Sequence, residues 1–148
     1  MRTDTGHVFK LEDYRPTDYL IPQTSLTFRL SPDATRVTAV LEIERREGLA
    51  PSPLVLDGDG LTLLRLEIDG RAVDPADFVA TPDQLTIAKP PARFHLLIET
   101  EVAPARNTAL MGLYRSSGAY CTQCEAEGFR CITYFLDRPD VLAVYSVR

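Results

Sequence analysis

At 148 residues, with 45% apolar and 25% charged residues, the chain has the length of one domain with a real core and leaves little room for two. Sixteen Lys and Arg against 21 Asp and Glu give a net charge of −5, which leaves no broad cationic face for nucleic acid or an anionic membrane. No apolar run approaches the roughly 20 residues that span a bilayer, and residues 1–7 lack the apolar stretch of a secretory signal.

The dominant pattern along the chain has period two. In residues 24–30, Leu26, Phe28 and Leu30 alternate with Ser25, Thr27 and Arg29. Val37, Ala39, Leu41 and Ile43 alternate with Thr38, Glu42 and Glu44, with Val40 as the one exception. Residues 54–56 form a short apolar candidate, and residues 61–68 and 84–88 follow the alternating pattern. Phe94, Leu96, Ile98 and Thr100 repeat it against Arg93, His95 and Glu99. Successive strand side chains point to opposite faces, so each run reads as a strand with one buried side. Turn chemistry separates the runs: Ser31-Pro32-Asp33, Asp57-Gly58-Asp59-Gly60, Asp69-Gly70, Thr81-Pro82-Asp83 and Lys89-Pro90-Pro91. Asp69-Gly70 between two strand-like runs predicts a hairpin. Many short strands spaced by turns, with no sustained period of 3.6, predict an all-β fold, an antiparallel sandwich or barrel.

The texture changes after Asn107. Gly112, Gly118 and Gly128 interrupt the alternation, and all three cysteines lie in this region. Residues 141–147 return to a strand-like pattern that runs to the end of the chain, as in a polypeptide expected to continue.

Each motif with chemical potential has a plainer reading. Asp57-Gly58-Asp59-Gly60 would need an oxygen ligand at Leu61 and a Glu at Ile68 to act as a calcium loop, so it reads as a tight turn. Cys121-Thr122-Gln123-Cys124 has redox or zinc spacing, but it lacks the strand–helix setting of a thioredoxin motif and a fourth metal ligand. Three free, buried or half-buried thiols are expected, in a reducing cytoplasmic compartment. His7 and His95 lie far apart, so no His-x-x-x-His zinc pair exists; His95 falls on the polar face of its strand. Glu125 and Glu127 fit either a solvated loop that caps a short helix or a site for a cation such as an ammonium group.

The ordered series Thr122-Gln123-Cys124-Glu125, Arg130 five residues later and Asp137-Arg138-Pro139 seven beyond resembles the N-terminal domain of zinc aminopeptidases of the aminopeptidase N type. Asn107-Thr108-Ala109-Leu110-Met111-Gly112-Leu113-Tyr114, with residues 121–142, is similar to the bacterial branch. Leu11-Glu12-Asp13-Tyr14-Arg15-Pro16, Tyr19-Leu20-Ile21 and Pro53-Leu54-Val55-Leu56-Asp57-Gly58 extend the likeness over almost the whole chain.

The resemblance implies that residues 1–148 are one β-rich domain with saddle-like sheets and a short helical or irregular segment near residues 124–131. It implies a longer enzyme whose separate domain carries the zinc, the His-Glu-x-x-His helix and the Gly-x-Met-Glu-Asn loop, none of which occurs here. This chain alone would then bind no zinc and cleave no peptide. By the same resemblance, Glu125 binds the free α-ammonium of a peptide substrate, and Gln123 lines the pocket for its first side chain. An extended backbone would turn positions two apart the same way, toward one cavity. Asp137 and Arg138-Pro139 are expected to form a turn into the last strand. Cys131, Val144 and Met111 depart from the family, which more often has basic or imidazole, basic and acidic residues there. Two other classes compete: a non-enzymatic β-sandwich interaction module, and a thiol-redox protein built on Cys121 and Cys124.

Overall fold

The structure, a computed structural model, describes residues 11–148. The readings of residues 1–7 and of His7 lie outside the described residues. After a 3₁₀ turn at Leu11–Asp13, twelve strands follow: β1 (Tyr19–Leu20), β2 (Gln23–Arg29), β3 (Thr35–Arg45), β4 (Leu54–Asp57), β5 (Thr62–Ile68), β6 (Arg71–Ala72), β7 (Phe78–Thr81), β8 (Gln84–Ile87), β9 (Arg93–Val102), β10 (Gly112–Ser116), β11 (Ala119–Gln123) and β12 (Val144–Val147). Short 3₁₀ turns occupy Pro104–Arg106 and Phe129–Cys131. Among the described residues no helix is long and apolar enough to cross a membrane.

The strands form three sheets. The largest runs β12-β2-β3-β9-β5-β6, with β1 also paired to β3; β4-β8-β7 form a second sheet and β10-β11 a third. The long central strands follow the alternation of the sequence. On β3, Val37, Ala39, Leu41 and Ile43 are fully buried, and their register partners on β9 are Thr100, Ile98, Leu96 and Phe94. These residues share one apolar cluster with Leu54 and Leu56 of β4 and Leu85 and Ile87 of β8. One face of the large sheet and one of the small sheet thus close on a single core, while the opposite positions are mostly polar, with Val40, Val55 and Leu97 among the exceptions.

The turns follow local chemistry. Asp69 (φ 49°) and Gly70 (φ 76°) close the predicted β5–β6 hairpin, both in the left-handed region that a two-residue type I′ turn requires. The β10–β11 hairpin closes on Ser117 (φ 50°) and Gly118 (φ 87°) in the same way. Gly118, which breaks the period-two alternation, is thus a hairpin turn residue. A register shift at Leu63/Arg65 in β5 supplies an extra residue, so Leu64 is exposed while Leu66 is buried.

Two expectations are corrected. The strand predicted over residues 141–147 shortens to β12, Val144–Val147, and it pairs parallel to β2 rather than antiparallel. All other strand pairings among the described residues are antiparallel. Alternation marks a strand without revealing the direction of its neighbour. The Asp57–Gly60 segment also does more than turn: Asp57 exchanges two backbone hydrogen bonds with Phe135, and Gly58 N donates to the Asp83 carbonyl.

Candidate functional site

The predicted site residues stand at the end of the β10–β11 hairpin. Gln123 is the last residue of β11 and pairs with Gly112, the first of β10. The chain then leaves the sheet through residues 124–128, makes the 3₁₀ turn Phe129–Cys131 and enters the core. Residues 132–136 are all buried, forming a plug in the core. Three contacts fix that plug. Thr100 Oγ1 of β9 donates to the Ile132 carbonyl at 3.0 Å, Phe135 pairs with Asp57, and Tyr134 Oη donates to the Thr81 carbonyl at 2.6 Å.

Close approach fixes the loop above the plug. A side chain at Gly128 would place Cβ 2.5 Å from Met111 Sδ and 3.0 Å from Cys124 Cα, so any larger residue would have to displace the Met111 side chain and crowd the Cys124 backbone. Asn107 Nδ2 donates to the carbonyls of Met111 (2.7 Å) and Leu113 (2.8 Å), which holds the strand entry that flanks this loop. Phe129 packs edge-on to Phe135 with ring centres 4.8 Å apart, and Tyr145 of β12 adds a third ring 5.7 Å from Phe129.

Gln123 and Glu125 are both exposed, and Gln123 Nε2 donates to the Glu125 carbonyl at 3.3 Å. The structure therefore brings the two together, but not by strand parity. β11 ends at Gln123, so Glu125 lies in a turn, and the peptide bond after it is cis. Nor do the two residues line either of the two principal clefts nearby. A cleft of about 370 Å³ lies between the Asp57–Asp59 loop and Asp83, Glu127, Arg130 and Asp137. A wider one of about 660 Å³ lies on the other side of Glu127 and Arg130, against Val102, Met111, Leu113 and Cys131. The Gln123–Glu125 edge is an open surface.

Sequence reasoning missed the best-paired charges of the region. Asp137 does precede a turn, with Arg138 N donating to Leu136 O and Val141 N to Arg138 O. It is also an ion-pair partner: Arg130 Nη1 lies 2.8 Å from Asp137 Oδ2, the two side chains only 15% and 8% exposed. Burial works against the Arg130 charge, yet the hydrogen bond and charge of Asp137 outweigh it and hold the guanidinium above its ordinary pKa. The Arg130 and Asp137 positions in the resemblance were the available signal.

The cysteines are free and half-buried. Desolvation, joined by the Asp59 carboxylate, pushes the Cys131 thiol up to about 11; its Sγ donates to Asp59 Oδ2 at 3.7 Å. Desolvation and Asp137 likewise raise Cys124. Thiols held this way are poor nucleophiles, which disfavours the thiol-redox reading. Of the departures from the family pattern, Val144 is exposed, whereas Cys131 and Met111 pack against Gly112 and Gly128.

Among the described residues no group of three or more His, Cys, Asp or Glu side chains could hold a metal ion. His95 is exposed on β9 with its Nδ1 3.6 Å from Asp69 Oδ1.

No protein-family model matches the chain. Among curated proteins it is 53% identical over 148 residues to an aminopeptidase N of Caulobacter vibrioides, a match covering 100% of the chain and 17% of that protein. It is 47% identical over 139 residues to aminopeptidase N of Escherichia coli, covering 92% of the chain and 15% of that protein. The chain thus spans about a sixth of the length of these relatives. Among solved structures, aminopeptidase A of Legionella pneumophila, in complex with aspartic acid, superposes with a TM-score of 0.85 at 31% identity over 94% of the chain and 17% of its own. An M1 zinc metallopeptidase of Deinococcus radiodurans shares the fold, with a TM-score of 0.70 at 20% identity over 88% of the chain and 32% of its own. Relatives that are peptidases do not favour a free-standing interaction module. Sequence and fold together show that the chain is similar, over nearly its whole length, to one part of the aminopeptidase N proteins.

Proposed function

We propose that residues 1–148 form the N-terminal β domain of a zinc metallo-aminopeptidase that releases amino-terminal residues from peptides. In this reading Glu125 anchors the substrate α-ammonium and Gln123 borders the pocket for the first side chain. The catalytic zinc and the groups that activate water belong to another domain of the longer polypeptide, so the chain alone neither binds zinc nor cleaves peptides. Peptides with a free amino terminus and that catalytic domain are its partners. Three free thiols accord with a reducing, cytoplasmic setting.

The observation that carries the reading is the exposed Gln123–Glu125 edge, joined by the bond from Gln123 Nε2 to the Glu125 carbonyl and followed in the chain by a buried segment. A carboxylate in open solvent gains little from a passing ammonium, because water and salt screen the attraction. Covered by a second domain, the same carboxylate would act in a much lower dielectric. An internal peptide has no charge to offer such an acid and would leave it buried and unpaired, which is the physical basis of exopeptidase selectivity.

The test is Glu125→Gln in the complete enzyme. Losing one partner of a desolvated ion pair costs about 2–5 kcal/mol, so kcat/KM should fall by roughly 30-fold or more. An unchanged kcat/KM would remove the anchoring role.

A further inference from the structure

We infer that Arg130 and Asp137 are positioning residues, a largely shielded ionic clamp that transmits the rigidity of the core to the backbone beside Glu125. The inference rests on the amine-anchoring role given to Glu125. Asp137 stands directly after the plug, whose attachments at Thr100, Asp57 and Thr81 tie it to all but the hairpin sheet. From that fixed point one oxygen, Oδ2, accepts from both Arg130 Nη1 (2.8 Å) and Arg130 N (3.3 Å). The same Nη1 donates to the Glu127 carbonyl at 2.9 Å. A continuous chain of polar contacts therefore runs from the core to residue 127, two residues from Glu125, while Gln123 Nε2 holds the Glu125 carbonyl from the other side.

The chemistry suits a clamp. Guanidinium donors are fixed in one plane, so satisfying a carboxylate and a carbonyl together sets direction as well as distance. The low exposure of both side chains, 15% and 8%, weakens screening of the pair by salt and competing water. Neither residue needs to touch substrate to act. An ammonium is recognised at contact distance, and a carboxylate that wanders by an ångström loses much of the gain.

The experiment uses the complete enzyme with Asp137→Asn, Arg130→Lys and Glu125→Gln, singly and combined. Asp137→Asn should raise KM for an aminoacyl substrate about tenfold with a much smaller change in kcat. In the Glu125→Gln background it should change kcat/KM less than twofold, because the clamp works through Glu125. Arg130→Lys keeps the charge but not the fork and should fall between wild type and Asp137→Asn; it decides the matter if Asp137→Asn does not fold. Equal effects of Asp137→Asn with and without Glu125, or an unchanged KM in both clamp variants, would overturn the inference. Hydrogen exchange separates its failure from that of the amine-anchoring reading. Should Glu125→Gln prove silent, anchoring fails, and the clamp stands only if residues 124–130 exchange at least tenfold faster in the clamp variants while β3 and β9 are unchanged.

Discussion

Tyr134 donates its phenol proton to the Thr81 carbonyl at 2.6 Å, and its ring edge occupies the space where a side chain on Gly58 would stand. One residue of the plug thereby locks two loops of the small sheet, at Asp57–Gly60 and at Thr81–Asp83. Burial and the nearby Asp83 raise the phenol pKa, so Tyr134 stays a donor at neutral pH. Tyr134→Phe should destabilise the chain by about 1 kcal/mol, the net worth of one hydrogen bond plus the unsatisfied carbonyl. Gly58→Ala should cost more, at least about 2 kcal/mol, because its Cβ would lie 2.7 Å from Tyr134 Cε1 and 2.9 Å from the Pro82 carbonyl oxygen. Urea denaturation measures both, and the reverse order would contradict the packing.

Gly112 and Gly118 separate two penalties that glycine avoids. Both have positive φ, 70° and 87°, but a Cβ at Gly118 meets nothing within 4 Å, whereas one at Gly112 would lie 2.5 Å from Cys131 Cβ. Gly118→Ala should cost about 1 kcal/mol of backbone strain. Gly112→Ala adds a collision with the 3₁₀ turn, and its loss should exceed that of Gly118→Ala by about 1–3 kcal/mol. Equal losses in urea melts would show that the turn yields freely.

The Cys131 thiol gives a pH dependence with a defined sign. Its folded-state pKa of about 11 lies above that of an unfolded cysteine, so the folded state disfavours the thiolate. The associated stability is fully present below the unfolded value, about 8.5, and is lost as pH rises from there through about 11. Cys131→Ala should flatten that limb of the stability curve relative to wild type. At pH 8 iodoacetamide should label Cys131 more slowly in the folded chain than in urea, as read by mass spectrometry of the peptide that contains it.

Gln123 and Glu125 predict different kinetic signatures in the complete enzyme. Gln123→Ala should change the ratio of kcat/KM values among substrates with different first side chains, by severalfold, because a pocket wall has moved. It should leave the requirement for a free amino terminus intact. A uniform loss over all substrates would assign Gln123 to support of the loop instead, consistent with its bond to the Glu125 carbonyl.

The strands were readable in the sequence because period-two alternation is a local signal. Residues 37–44 and 93–100 fall within β3 and β9, with the alternating apolar members Val37, Ala39, Leu41, Ile43, Phe94, Leu96 and Ile98 in the core. The β10–β11 hairpin was not found: its strands mix buried and half-exposed residues, and the Ser117-Gly118 turn was the one clear mark. For the site, the Gln123 and Glu125 positions came from the resemblance, while their contact arises from a turn that ends the strand between them.

Composition, alternation and turn residues were enough to determine an all-β chain and which face of each long strand is buried, since these depend on neighbours one to four positions away. Folding alone decided that β12 runs parallel to β2, that residues 132–136 pass into the core, and that Arg130 meets Asp137 with both side chains largely shielded. The Thr100–Ile132 and Tyr134–Thr81 bonds join residues 32 and 53 positions apart. Such contacts form only when distant segments share one core, and no local propensity encodes which segments those are.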